Sequence, residues 1–221
     1  MATISPAKLE APPWLYARLA RGPIFQRVYR RQAVDLAALL PPGTRFLDVG
    51  TGPGYLLDLL AAKRPDLQVF GLDLSDKMLY YGRQMMAASR GQRPLHLLAG
   101  AVEALPFPGG VFHGVLAAMS LHHWTDPGRG VAEVFRVLKP GGRAWIYELN
   151  REAPRASLRR FAREEGFPFL LVFLVVKSLG WGHALGEKDF TLIFQEAGLS
   201  QWQVRPVHHL FWRAEFRKPE I

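Results

Sequence analysis

The sequence predicts an α/β fold: a mostly parallel sheet of seven strands, helices on both faces, and an antiparallel edge strand. Three observations carry this. Short apolar runs of strand length alternate with helical segments from residue 45 to about 150, and parallel strands need such crossovers. The first run ends in a glycine-rich turn, DVGTGPG, that leads into a helical segment. After Asn150 the alternation stops, and two strand-like runs follow one another near the C-terminus, as an antiparallel edge requires.

The elements follow in order. Residues 14–40 are helical in character and break near Gly22-Pro23, giving two helices that Pro41-Pro42-Gly43 ends. Arg45–Val49 reads as a strand, Tyr55–Arg64 as a helix and Gln68–Leu72 as a strand. Ser75 or Asp76 can cap a helix running to about Ser89. Leu95–Leu98 and Val111–Met119 are strands. Asp126-Pro127 is a cap followed by proline, a good helix start, and that helix ends near Lys139-Pro140-Gly141-Gly142. Arg143–Leu149 is the next strand. Glu187–Ala197 is a helix with Gly198 as its C-terminal cap. Trp202–Pro206 and His208–Phe216 are the late strands. The chain thus reads as one domain: a helical cap (1–42), a core (43–150), an insertion or lid (151–186), and a final helix with strands (187–221).

Composition narrows the function. The 221 residues are 49% hydrophobic and 21% charged, the balance of a soluble globular domain. Cysteine is absent, which excludes disulfides, thiolate metal sites and a cysteine nucleophile. No signal-peptide pattern opens the sequence, so a cytoplasmic location is expected. The longest apolar run, Phe167–Val176, is too short for a bilayer, which needs about 20 residues. A formal charge of +9 favours anionic partners: nucleic acid, acidic lipid surfaces or anionic ligands.

The glycine turn is the first candidate site. Gly50, Gly52 and Gly54 are spaced G-x-G-x-G around Thr51, and glycine lets backbone approach a ligand closely. A dinucleotide fingerprint would need a third glycine at residue 55, which is Tyr. Asp48 stands two residues before Gly50, where a carboxylate repels a pyrophosphate and suits a ligand with a cationic group. Asp73, at the end of the second strand, can accept hydrogen bonds from both hydroxyls of a ribose.

Together these motifs resemble the class I S-adenosylmethionine-dependent methyltransferases of the type 11 group, similar to the ubiquinone/menaquinone C-methyltransferases. DVGTGPG, VFGLDLSDKML, GAVEALPFPGGVFHGVLAAMSLHHW and VLKPGGRAWIYEL follow in that family's order across residues 43–150. The resemblance implies a Rossmann-like fold, S-adenosylmethionine as cofactor, S-adenosylhomocysteine as product, and no metal. It implies that the turn (Asp48, Gly50, Thr51, Gly52, Gly54) contacts the amino-acid part of the cofactor and that Asp73 takes the ribose. It places adenine near Val102 and Glu103, against Leu74, Met78 and Leu105, with Ser120 close to the cofactor. The chain departs from the family at Ala101, where a polar side chain commonly meets the adenine. Glu103 would then substitute, or backbone and apolar packing would serve.

Catalysis by methyl transfer rests on alignment and exclusion of water, with a base only where the acceptor holds its proton. His122 and His123, after the fourth strand, and Tyr147, on the fifth, are the candidate catalytic residues. Tyr147 and Glu148 end the fifth strand and are expected to face the same crevice. His183 lies in the insertion, while His208 and His209 read as structural residues of a late strand. Acceptor specificity is expected from the N-terminal helices (Trp14, Tyr16, Phe25, Tyr29) and from 151–186 (Phe161, Phe167, Phe169, Phe173, Trp181). Phe167–Val176 reads as a buried helix or as a lid over an apolar acceptor. Arg155, Arg159, Arg160 and Arg163 share a helix face beside it, as Arg18, Arg21, Arg27, Arg30 and Arg31 do near the N-terminus. Such faces are either solvated or suited to peripheral contact with a membrane surface.

The expected function is methyl transfer to a small apolar or lipid-like acceptor at O, C, N or S. Nucleic acid is disfavoured, because MSLHHW replaces the Asn/Asp-Pro-Pro-aromatic motif of amino-methylating enzymes. The alternatives are a non-catalytic cofactor-binding module that docks through its basic faces, and a nucleotide-dependent oxidoreductase, which Tyr55 and Asp48 argue against. The sequence does not fix the oligomeric state.

Overall fold

A computed structural model of the chain describes residues 18, 20–88, 95–179 and 184–220. Trp14, Tyr16, Trp181 and His183 lie outside them. The described elements are α1 (Pro23–Leu39), β1 (Arg45–Val49), α2 (Tyr55–Lys63), β2 (Gln68–Asp73), α3 (Asp76–Ala88), β3 (His96–Ala99), β4 (Phe112–Ala118), α4 (Pro127–Val137), β5 (Leu138–Leu149), α5 (Arg155–Glu165), α6 (Phe169–Leu179), α7 (Glu187–Glu196), β6 (Gln203–Val207) and β7 (Phe211–Arg217). They form a seven-stranded sheet in the order β3-β2-β1-β4-β5-β7-β6. The first five strands pair in parallel; β7 runs antiparallel to β5 and to β6. The expected architecture is therefore present, and the strand order reverses between β1 and β4. Ligands of open α/β sheets bind at such a switch point, outside the strands' carboxyl ends.

The strands bury on both faces, as their unbroken apolar runs require. One face packs Leu47, Val115, Ile146 and Ala214 against Val131 and Val134 of α4 and Phe190 and Phe194 of α7. The other packs Phe46, Leu116 and Trp145 against Leu36 of α1 and Leu57 and Leu60 of α2. A third cluster joins α1, α5 and α6 through Ile24, Val28, Leu158, Phe161, Val172 and Val176.

Three features differ from expectation. Strand β5 begins at Leu138, taking in the Lys-Pro-Gly-Gly stretch read as a turn. Gly141 has φ +74°, and the pairing with β4 shifts register between Phe112 and Gly114. The glycines thus let the strand continue through a bulge instead of ending it. His208 and His209 lie in the β6–β7 turn, not on a strand, with φ of +49° and +67°. Their Nε2 atoms meet Asp35 of α1 at 2.9 Å and Glu164 of α5 at 2.8 Å.

The third difference concerns the basic and apolar helices. Arg27 and Arg31 of α1 turn toward Glu165 of α5, whose side chain is buried, so this stretch is a helix–helix contact and not a uniform solvated face. Helix α6 is not the buried helix that its composition suggests: Leu170 is 64% and Leu174 53% exposed.

Candidate active site

The glycine turn sits at the β1 end of the switch point. Its conformation explains its composition: Gly50, Gly52 and Gly54 have φ of +71°, +56° and +77°, values that side chains with a Cβ rarely adopt. At Gly50 space is equally limiting, since an added Cβ would lie 2.4 Å from Cβ of Ser120. The Gly50 and Thr51 N–H groups donate to the Leu72 carbonyl at 2.7 and 3.0 Å, tying the turn to β2. Helix α2 begins at Tyr55, whose ring faces the Arg21 guanidinium at 5.7 Å.

Asp48 dominates the electrostatics here. It is 3% exposed, and one carboxylate oxygen accepts a 2.7 Å bond from the Thr51 hydroxyl. The other, Oδ1, is buried with no hydrogen-bond partner among the described residues. Burial pushes the carboxyl up to about 7, the Thr51 bond opposes this, and Asp73 adds to it. Such an orphaned carboxylate oxygen is a costly feature that a cationic ligand group would relieve. It lines a pocket formed with Tyr29, Gly50, Gly52, Tyr55 and Ala118.

Asp73 is organised differently. Its Oδ2 accepts from the Gly52 N–H at 2.7 Å and its Oδ1 from the Ser75 N–H at 2.8 Å. Burial raises its pKa, and the two amide bonds hold it back. An ionised carboxylate has about four lone-pair sites, so acceptor capacity remains for two hydroxyls. Ser75 caps α3 through a 3.3 Å bond from the Met78 N–H. Leu74, 76% exposed, stands beside Asp73.

At the expected adenine position, of the two alternatives, Glu103 or backbone and apolar packing, the structure engages Glu103 elsewhere. Glu103 lies in the 3-10 turn Val102–Ala104, and its Oε1 accepts from the Thr125 and Asp126 N–H groups at 2.9 and 3.2 Å. That carboxylate organises the loop before α4 and is committed there. Val102 and Leu105 are buried apolar residues. Ser120 is also buried; its hydroxyl donates to the Val49 carbonyl at 2.9 Å and clamps the ends of β1 and β4. Met119, before it, holds a positive φ of +53°, strain that concentrates at functional turns.

The candidate bases occupy the 3-10 turn Leu121–His123. His122 Nδ1 lies 2.7 Å from Oε2 of Glu148, and Oε1 of Glu148 accepts from the Leu121 N–H at 2.7 Å. Glu148 is fully buried. An ionised carboxylate only accepts, so neutral His122 is protonated at Nδ1 and carries its lone pair on Nε2. The His123 ring lies 4.0 Å from that of His122, and His123 is exposed. Tyr147 does not join this group. Neighbouring strand residues point to opposite faces, and Tyr147 is fully buried in the α1/α2 face. Burial raises its hydroxyl well above the ordinary value of 10, and Arg213 only partly opposes this. Tyr147 is not placed to act as a base. Of Tyr147 and Glu148, both expected to face the crevice, only Glu148 meets His122.

Residues 47–146 match the family model of a methyltransferase domain. The ubiquinone/menaquinone biosynthesis C-methyltransferase UbiE of Geobacter sulfurreducens is 36% identical over 154 residues, 69% of this chain and 58% of that protein. The demethylmenaquinone methyltransferase of Thermus thermophilus is 40% identical over 120 residues, 54% of this chain and 53% of that protein. Residues 47–146 form a methyltransferase domain similar to the S-adenosylmethionine-dependent methyltransferases of the type 11 group. A crystal structure of a methyltransferase of this dependence from Aquifex aeolicus has a TM-score of 0.72 at 19% identity, covering 93% of this chain and 98% of that one. The chain spans just over half the length of the two curated relatives. The methyltransferase domain covers β1 to the middle of β5, so Asp48, Asp73 and His122 fall inside it, while Glu148, α5 and α6 fall outside. The residues present fit the cofactor of this class. Asp48 Oδ1 offers an acceptor without a partner among the described residues to an ammonium, Asp73 retains acceptor capacity for a ribose, and the three glycines of the turn carry no Cβ to obstruct close approach.

Proposed function

We propose that the chain transfers the methyl group of S-adenosylmethionine to a small apolar acceptor of hydroquinone or phenol type, with His122 as the base. The Glu148–His122 pair carries this reading. A thiol would react with little help because it is partly ionised near neutrality. A phenolic acceptor keeps its proton and needs a base. The names of the two relatives, a C-methyltransferase and a demethylmenaquinone methyltransferase, support an aromatic acceptor.

When bound, the cofactor supplies an electrophilic methyl group on a sulfonium. Asp48 and the glycine turn would hold its amino-acid part, and Asp73 its ribose. Leu74, Met78, Val102 and Leu105 would give adenine an apolar site. His122 Nε2 takes the phenolic proton, and buried Glu148 balances the imidazolium charge. Transfer would leave S-adenosylhomocysteine, its sulfur keeping the electrons of the broken C–S bond. Water exclusion would come from Met119 and the α5–α6 region, which share one apolar cluster. The reading includes a cytoplasmic chain in peripheral contact with a membrane, where apolar acceptors partition. Among the described residues, no helix is long and apolar enough to cross one.

The test uses methyl-labelled cofactor with reduced naphthoquinones, simple phenols and thiols. Label should enter the quinols or phenols. His122→Ala should lower turnover about 10²–10⁴-fold and leave S-adenosylhomocysteine affinity unchanged. Transfer to thiols alone, or an undiminished His122→Ala rate, would sink the proposal. Tight S-adenosylhomocysteine binding without transfer to any acceptor would favour the non-catalytic module.

A further inference from the structure

We propose that the outer face of α6, with the basic edge of α5, docks on an anionic lipid bilayer. The first observation is an apolar helix covered on one side only. Helix α6 is apolar on all sides through FLLVFLVV, a composition normal for buried helices. Val172 and Val176 pack into the cluster with Leu158 and Phe161 of α5 and Ile24 and Val28 of α1. On the opposite side Leu170, Leu171 and Leu174 are 64%, 44% and 53% exposed. The three leucines fall within about 100° of arc, so they form one contiguous ridge. Exposed ridges of this kind mark protein or membrane contact sites.

Charge selects the occupant. The Arg159 guanidinium lies 5.6 Å over the Phe169 ring, and the Lys177 ammonium 5.7 Å over the Phe173 ring. Arg155 and Arg163 are exposed on the same helix as Arg159. None of these four cations has a carboxylate partner among the described residues. The two acids of α5 are engaged elsewhere: Glu164 with Arg160 and His209, Glu165 with Arg27 and Arg31. Leucines flanked by long cationic side chains match the layering of an anionic bilayer, acyl region below and headgroup phosphates above. A second copy of the same face would bring the cations together and is disfavoured. Helix α6 also shares its apolar cluster with Met119, the neighbour of Ser120. Docking would therefore set the acceptor side of the site beside the apolar phase.

The test is co-sedimentation of the full chain with vesicles of phosphatidylcholine alone, and of phosphatidylcholine with phosphatidylglycerol in equal parts. The protein should bind only the second, and less as salt rises. Leu170→Ser/Leu171→Ser should lower the partition coefficient at least tenfold. Arg159→Gln and Arg163→Gln should each lower it about fivefold. Leu192→Ser, an exposed leucine of α7, should change nothing. Binding of S-adenosylhomocysteine by every variant reports that the fold is intact, so failure here is separable from failure of the methyl-transfer reading. No binding to anionic vesicles, or binding by the α5 and α6 variants equal to wild type, would overturn the proposal. So would a dimer that Leu170→Ser/Leu171→Ser converts to monomer.

Discussion

Asp48→Asn should stabilise the ligand-free protein and cripple its cofactor site. The buried Asp48 carboxyl titrates near 7 against an ordinary value of 3.8. Between these values the folded chain holds a proton that the unfolded chain has released, so folding stability falls as pH rises. A rise of about three pH units, at 1.36 kcal/mol each, makes the ionised carboxylate cost about 4 kcal/mol above pH 7. Asparagine can still accept the Thr51 bond and stays neutral throughout. Variant and wild type should therefore differ little near pH 4. The variant should gain about 1.4 kcal/mol per pH unit, reaching about 4 kcal/mol at pH 8. Urea unfolding followed by circular dichroism at a series of pH values reads this directly. A difference that does not vary with pH, or a variant less stable at pH 8, would refute the argument that Asp48 is a desolvated charge. S-adenosylhomocysteine titration reads the other half. Loss of a charge-assisted bond of about 1.5–3 kcal/mol should weaken binding roughly 10- to 150-fold. Wild-type affinity should fall up to tenfold per unit below pH 7, and the variant should lose that dependence.

Asp73→Ala removes the acceptor for the Gly52 and Ser75 amides as well as for the ribose; S-adenosylhomocysteine affinity by calorimetry should fall about 100-fold or more, and a loss under threefold would remove Asp73 from the site. Gly50→Ala meets both a φ of +71° and a Cβ contact of 2.4 Å with Ser120; it should cost about 2–4 kcal/mol in urea unfolding. Ser120→Gly in the same chain should recover the steric part, whereas Ser120→Ala, which keeps the Cβ, should not. Glu148→Gln can offer either a donor or an acceptor to His122, so the tautomer is no longer fixed. Turnover should fall about 10²–10⁴-fold at unchanged S-adenosylhomocysteine affinity. An undiminished turnover would assign Glu148 a purely structural part.

What could be read from the residues follows the range of each interaction. The glycine turn and Asp48 are legible because strand, turn and helix lie within ten residues of one another, and Asp73 because it ends the next strand just before a helix start. The fates of Glu103 and Tyr147 depend on contacts that no local pattern records. Glu103 is drawn to the amides of Thr125 and Asp126, more than twenty residues away. Tyr147 and Glu148 must point to opposite faces by strand geometry, but which face meets the active turn depends on the β4–β5 register, Ala118 opposite Tyr147. The same holds for α6: its composition predicts burial, and only the packing of α1 and α5 against one side of it leaves the leucines of the other side outside.

Asp48 and Glu148 illustrate how far a buried charge can be interpreted. Each ends a strand, β1 and β5, on either side of β4 at the switch point. Removing a carboxylate from water costs several kcal/mol unless partners replace the hydration. Glu148 already has them, with Leu121 N–H on one oxygen and His122 on the other. Asp48 has Thr51 on one oxygen and nothing on the second. The first carboxylate is organised before any ligand arrives and so can hold a base in place. The second is left to be completed by a ligand, and its cost in the free protein becomes binding energy when a cationic group reaches Oδ1. On the proposed reading, two carboxylates, similarly buried, divide the work between catalysis and capture according to which one the fold has already satisfied.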